Sequence, residues 1–221
     1  METKRKRVRG ESGRTLVGEA LVAAGQALFA EHPVDAVAID DIVRQAGVAK
    51  GSFYKHFPDK DALLAAIVQD IRGSIEAEVT EANADVTDPA KRVVRGVCVY
   101  LRFVADEPEK GGVLVRNDRS APGMEINKGT VADVTAGLSE GRFLVSTVEA
   151  GTMFILGVAH AGLVRFNGDR GAASNIWIAQ QLCQLILRGL GVPHAESELI
   201  AAQAAEDILR KPRTPSKVGE T

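Results

Sequence analysis

The chain has 221 residues, 45% of them hydrophobic and 25% charged, with a formal net charge of −2. That is the make-up of an ordinary globular protein, long enough for one compact domain or two small ones. Its two cysteines, Cys98 and Cys183, lie far apart and outside any CxxC spacing, which argues against a disulfide framework and a structural zinc site and reads as two buried thiols.

In chain order, residues 1–14 are basic: Lys4, Arg5, Lys6, Arg7, Arg9 and Arg14 stand against Glu2 and Glu11. Residues 1–60 hold ten basic and eight acidic side chains, so the acidic excess lies in the rest of the chain. A basic front and an acidic back suit a protein that points one end at nucleic acid. No apolar h-region follows the basic residues, and the longest apolar run, Met153 to Val164, is interrupted by His160 and is too short to span a bilayer. A cytoplasmic location is therefore expected, with no membrane partner.

Residues 1–13 read as a flexible basic arm. Val17, Leu21, Ala24 and Leu28 stripe a first helix from Arg14 to Glu31, which His32-Pro33 ends. Ile42, Val43 and Ala46 belong to a short second helix, which Gly47 can terminate with a positive φ. A third short helix follows, with Phe53 and Phe57 on one face and Lys50, Ser52 and Lys55 on the other. Leu63, Ile67, Ile71 and Ile75 stripe a long fourth helix from Asp59 to Asn83. Asp88-Pro89 opens a helix that runs to Asp106 and buries Val94, Val97, Leu101 and Val104. Residues 107–112 read as a break, 113–117 as a helical turn and 124–138 as a helix. Two apolar helices follow, Phe143–Phe166 and Ala172–Leu190, then an amphipathic one, His194–Leu209. The tail 211–221 reads as disordered. No strand pattern survives, so the expected class is all-α.

Ile39 to Leu63 is the most specific stretch. Its core, Ala46-Gly47-Val48-Ala49-Lys50-Gly51-Ser52-Phe53-Tyr54-Lys55-His56-Phe57, is followed by Pro58-Asp59-Lys60-Asp61-Ala62-Leu63. A helix this short needs bracing by its neighbours, and a braced helix with a basic outer face suits a DNA major groove. The segment resembles the helix-turn-helix of the TetR family of bacterial transcriptional regulators, over residues Thr15 to Ile71.

The resemblance implies an N-terminal three-helix helix-turn-helix domain (residues 14–60). It also implies a C-terminal helical ligand-binding and dimerisation domain (residues 61–210). The implied function is a homodimeric, sequence-specific regulator that binds palindromic operator DNA, a repressor released by a small effector, without cofactor or metal. The DNA-contact candidates are Lys50, Gly51, Ser52, Tyr54, Lys55, His56 and Lys60. Lysines reach bases or phosphates, Ser52 bonds base edges, and Gly51 clears the point of closest approach. Tyr54 and His56 resemble the family's phosphate clamps, and Lys60 would share a phosphate with the start of the fourth helix. The helices near 143–166 and 172–190 would pair with a second subunit as a four-helix bundle. An effector pocket would draw on Phe103, Met124, Met153, Phe154 and His160, with Arg116 or Asn117 as polar partners, and would take a small, apolar effector.

Two positions depart from the family pattern. Ala38 and Ala49 stand where capping hydroxyls are common, each removing an N-cap worth about 1 kcal/mol. The alternative reading is therefore a small-molecule-binding or interaction module with a weakened helix-turn-helix. Enzyme signals are poor. The four histidines are scattered, no HExxH, GxSxG, Walker A or GxGxxG pattern occurs, and Asp40-Asp41 are adjacent and so diverge on a helix.

Overall fold

The computed structural model describes the backbone of residues 2–117, 127–168 and 171–210, and side chains from Leu16 onward except those of residues 172 and 173. Met124 and the tail 211–221 lie outside the described residues. Among the described residues there are ten α-helices and no strand, as expected.

The first helix, α1 (Glu2–Glu31), continues through the basic segment assigned above to an arm. It buries Leu21, Ala24 and Phe29, with Val17 and Leu28 half-buried. A 3-10 turn, Val34–Ala36, leads to α2 (Ile39–Ala46) and α3 (Lys50–His56). Phe53 is fully buried between them and α1. Burial of one such side chain contributes about 1.5–3 kcal/mol, which supplies what a seven-residue helix lacks by itself.

The long α4 (Lys60–Ala82) links this head to the body. Asp59 caps it by accepting from Ala62 N–H at 2.7 Å. Leu63, Ile67, Ile71 and Ile75 are all buried, as their spacing requires. At the centre of the body lies α5 (Pro89–Asp106), packed on α4 and on each of the five helices that follow it. Asp88 caps α5, accepting from Ala90 N–H at 3.0 Å, with Pro89 in the first turn. Cys98 and Cys183 are buried free thiols whose Sγ atoms lie 3.6 Å apart.

Two expectations are corrected here. Residues 107–112 do not form a break: α6 runs Pro108–Asn117, with proline at its first position. Gly111 and Gly112 are close-approach residues rather than helix breakers. A Cβ on Gly112 would sit 2.9 Å from the Ala30 carbonyl oxygen of α1, and one on Gly111 would sit 2.5 Å from Asn167 Oδ1. Second, the apolar helix expected from Phe143 begins at Val148, where Thr147 caps α8 (Val148–Phe166) by accepting from Ala150 N–H at 3.1 Å. Phe143 instead closes the end of α7 (Lys128–Ser139). It lies beyond the positive-φ turn at Gly141, its N–H bonds the Gly137 carbonyl, and its ring occupies the space that a Gly137 side chain would need.

The last two helices are α9 (Ala172–Gly189) and α10 (His194–Leu209). α8 and α9 pack side by side and leave large apolar side chains exposed: Met153, Phe154, Val164, Trp177 and Leu185. By length and composition, α8 is the one described helix long and apolar enough to cross a membrane. Glu149, Arg165 and the glycines at 151, 157 and 162 interrupt it.

Candidate functional site

In the head, Gly47 adopts φ 67° and ends α2, and Val48 N–H returns to the Val43 carbonyl at 3.0 Å. This left-handed residue sets the angle between α2 and α3. No side-chain cap forms at Ala38 or Ala49, in line with the missing hydroxyls. The Phe53 ring meets Tyr54 edge-on at 5.5 Å and Phe57 at 6.1 Å, an aromatic cluster that fixes the rotation of α3.

That rotation turns Lys50, Gly51, Tyr54 and Lys55 to solvent, with Tyr54 53% exposed; Ser52 and His56 are half-buried. His56 leans toward α1, where a Cβ on Gly18 would sit 3.2 Å from its Nδ1. A Cβ on Gly51 would meet nothing within 4 Å, so the α3 backbone is open to an incoming surface there. Six of the seven proposed DNA-facing residues thus fall on one short helix.

Lys60 is placed differently. Its ammonium donates to the carbonyls of Val34 at 2.9 Å, Asp35 at 3.4 Å and Val37 at 2.6 Å. A lysine ammonium has three N–H donors, and here three carbonyls meet them. The side chain ties the start of α4 to the turn before α2.

Two residues of α2 passed over in the sequence belong to this surface. Asp40 Oδ1 lies 2.8 Å from Lys50 Nζ, and this hydrogen bond and charge raise the lysine above its ordinary value. Arg44, exposed at the end of α2, pairs with Asp41. Their signal was present as charges at i and i+3 to i+4 on a helix facing the basic one.

In the body, a cavity of about 630 Å³ lies between α4, α5, α6, α7 and α8. Its polar wall comes from α4 and α7, with Arg72, Glu76 and Thr80 opposite Thr130 and Asp133. Its apolar wall comes from the helices on the other side, through Val93, Val97, Leu114, Met153, Leu156 and Leu163. Glu76 Oε1 accepts from Tyr100 Oη at 2.8 Å, and Arg92 Nε donates to Asp133 Oδ1 at 2.5 Å. Burial pushes both carboxyls above their ordinary values, against the pull of these donors.

Of the pocket residues expected from sequence, Met153 and His160 line the cavity. Phe103 does not: it is fully buried in the core. Phe154 faces outward with 39% exposure, its ring over Gly189 of α9. Arg116 and Asn117 point the other way, where they donate to the Ala30 and Phe29 carbonyls and close the end of α1. They join head to body instead of meeting a ligand.

A braced helix-turn-helix on a helical body with a partly open cavity defines a two-part helical architecture. The sequence profile described as bacterial regulatory proteins, tetR family, matches residues 21–67. Residues 21–67 thus match the TetR-family helix-turn-helix, and the chain as a whole resembles transcriptional regulators of that family. A transcriptional regulator of Mycobacterium tuberculosis is 27% identical over 93 residues, 42% of this chain and 46% of that protein, so the match spans about half of that relative. The transcriptional repressor KstR2 of Rhodococcus jostii is 26% identical, with 84% of this chain and 95% of that protein covered. The RolR crystal structure without ligand superimposes with a TM-score of 0.63 at 25% identity, over 83% of this chain and 96% of that one. A tetR-family regulator from Shewanella sp. PV-4 gives 0.72 at 17% identity, over 80% and 99%, a likeness of fold.

Proposed function

We propose that the protein is a cytoplasmic, homodimeric, sequence-specific DNA-binding regulator, a repressor released from its operator by a small-molecule effector. The observation that carries this reading is α3, which turns Lys50, Gly51, Tyr54 and Lys55 outward on a helix locked by buried Phe53. Lys50, Lys55 and Tyr54 supply phosphate contacts that set register, and Ser52 and the exposed backbone at Gly51 allow approach to base edges. Lys60 acts on DNA indirectly, by holding the turn that positions α2.

The dimer reading rests on the exposed apolar side chains of α8 and α9, Phe154, Val164, Trp177 and Leu185 among them. Large apolar side chains exposed on two adjacent helices suit burial by a partner, and a two-fold dimer matches a palindromic operator. The effector reading rests on the cavity, whose size and mixed lining suit a small organic molecule. The kinship with KstR2, a repressor, favours repression.

The test is a titration of the protein against DNA from upstream of its own gene, with scrambled duplex as competitor, at several salt concentrations. Selective binding with a steep salt dependence supports the regulator. Equal, weak binding to both duplexes favours the module with a weakened head, for which the uncapped starts of α2 and α3 at Ala38 and Ala49 are the supporting observation.

A further inference from the structure

The cavity wall has a definite chemistry, and it narrows what can sit there; this inference rests on the reading of the cavity as the effector site. Two guanidinium groups, Arg72 and Arg92, face two carboxylates, Glu76 and Asp133, so the wall carries no formal net charge. Arg92 is engaged within the protein: besides Asp133 at 2.5 Å, it donates to the Asn83 carbonyl at 3.4 Å and the Val86 carbonyl at 3.1 Å. The charge of Arg72 acts on Glu76. Arg92, with its donors taken within the protein, is not set up to receive a ligand carboxylate or phosphate.

Glu76 is the more available group. One of its oxygens accepts from Tyr100, while Oε2 points to the side of α7 at Gly129, where an added Cβ would already lie 3.5 Å away. A glycine at this position leaves Oε2 room to accept another donor. A carboxylate accepts hydrogen bonds and repels anions. Opposite it, Val93, Val97, Leu114, Met153 and Leu156 offer apolar surface, interrupted by His160 of α8.

We propose that the cavity takes an uncharged, hydroxyl-bearing amphipathic molecule, its hydroxyl donating to Glu76 beside Tyr100 and its apolar skeleton lying along α5, α6 and α8. An anionic ligand meets two carboxylates at the polar end, Glu76 and Asp133. A cationic ligand meets two guanidiniums, Arg72 and Arg92. A hydroxyl adds a charge-assisted hydrogen bond and brings no charge of its own into a partly enclosed site. Burial has already raised the Glu76 and Asp133 carboxyls, so further negative charge there is the least tolerated change. The expectation of an apolar effector is thereby amended: the ligand needs a polar end.

The test uses three probes with one skeleton: 4-propylphenol, 4-propylbenzoate and 4-propylbenzylamine. Each is titrated into the full-length protein at neutral pH, read by calorimetry and by the shift in thermal midpoint. The phenol is expected to saturate and to bind at least about tenfold tighter than either charged analogue. In Glu76→Gln, whose amide oxygen still accepts from Tyr100 and preserves the fold, that preference should fall about tenfold with the apo thermal midpoint retained or raised. Equal or tighter binding of the benzoate or the benzylamine overturns the proposal. So does a phenol that fails to saturate below its solubility limit, or an unchanged affinity in Glu76→Gln. The same preparation is titrated with upstream and scrambled DNA. Selective DNA binding without phenol binding rejects the ligand class and leaves the regulator standing; phenol binding without selective DNA binding does the reverse.

Discussion

Lys50, at the start of the exposed helix α3, is held by Asp40 of the preceding helix at 2.8 Å. The cation proposed to face DNA thus already has a carboxylate partner. Binding a phosphate means exchanging that partner and bringing the carboxylate close to the DNA. Asp40→Asn removes both the competition and the repulsion, so DNA affinity should rise several-fold at low salt, and Lys50→Gln should lower it. Fluorescence anisotropy across a salt series measures both. A loss of affinity in Asp40→Asn means that the pair positions α3 and does not restrain it.

Lys55 is exposed on the same helix. Lys55→Glu should abolish binding to specific and scrambled DNA alike and leave the oligomeric state and thermal midpoint unchanged. Retained affinity assigns the reading surface to another helix.

Lys60 has a different signature. Removing its ammonium in Lys60→Met leaves the Val34 and Val37 carbonyls without their charged donor, a loss of about 1–3 kcal/mol. Chemical denaturation should register this, with DNA affinity falling as the turn before α2 loosens. Unchanged stability together with weaker DNA binding returns Lys60 to the role of a direct phosphate contact.

These three lysines mark how far the sequence could be read. The spacing of Phe53 and Phe57, the Gly47 turn, the α4 stripe and the Asp88-Pro89 helix start are local signals, and each appears in the fold where the pattern puts it. What escaped is set by contacts distant in sequence. Lys60 has the composition of a phosphate ligand, and only the return of the Val34–Val37 turn beside α4 redirects it. Gly111 and Gly112 look like helix breakers because nothing local says that Ala30 of α1 presses against them. Arg116 and Phe103 were plausible pocket residues by chemistry, but the direction a side chain takes from α5 or α6 depends on how those helices are rotated in the bundle. Phe143 continues an apolar run in sequence, and the turn at Gly141 folds it back onto α7.

The acid side of the stability curve separates two kinds of partly buried carboxylate. Burial acts to raise Asp88, but the Arg142 guanidinium, at 3.0 Å, and the Ala90 N–H outweigh it and hold the carboxyl below its ordinary value. A value lowered on folding gives stability that is present above the unfolded value, about pH 4, and is lost as pH falls through the folded value. Asp88→Asn should therefore be destabilising at neutral pH and converge with the parent in strong acid. Glu76 has the opposite sign. Its value is raised on folding, mainly by burial, so its ionised form is a cost above the folded value, and that cost disappears as pH falls toward the unfolded one. Glu76→Gln should be neutral or stabilising at neutral pH and lose any advantage in acid. Urea denaturation across this range tests both, and parallel curves for the two variants contradict the assignment.

The apolar face of α8 and α9 yields the simplest experiment. Trp177 is 59% exposed and Leu185 is 55% exposed. Trp177→Glu combined with Leu185→Arg should convert the dimer to monomer in sedimentation without loss of helix content, and operator affinity should fall by orders of magnitude because one head offers half the contacts. A parent protein that already sediments as a monomer at micromolar concentration removes the dimer from the proposed function.

The 23-residue helix α4 is fastened at both ends. At the body end, Arg95 grips the Ala82 carbonyl through Nε at 3.0 Å and through a second nitrogen at 2.7 Å; at the head end, Lys60 grips the turn before α2. Such a helix is a lever about 34 Å long. Its short arm, Arg72 to Thr80, forms a wall of the cavity. A tilt of about 5° around the arginine-held end carries the Lys60 end through about 3 Å, close to the ~3.4 Å rise of one base step. In the proposed dimer, whose two heads would have to meet successive grooves together, a displacement of that size in each subunit would take both α3 helices out of register, so a molecule small enough to fit between α4 and α8 would have the leverage that the proposed release from DNA requires.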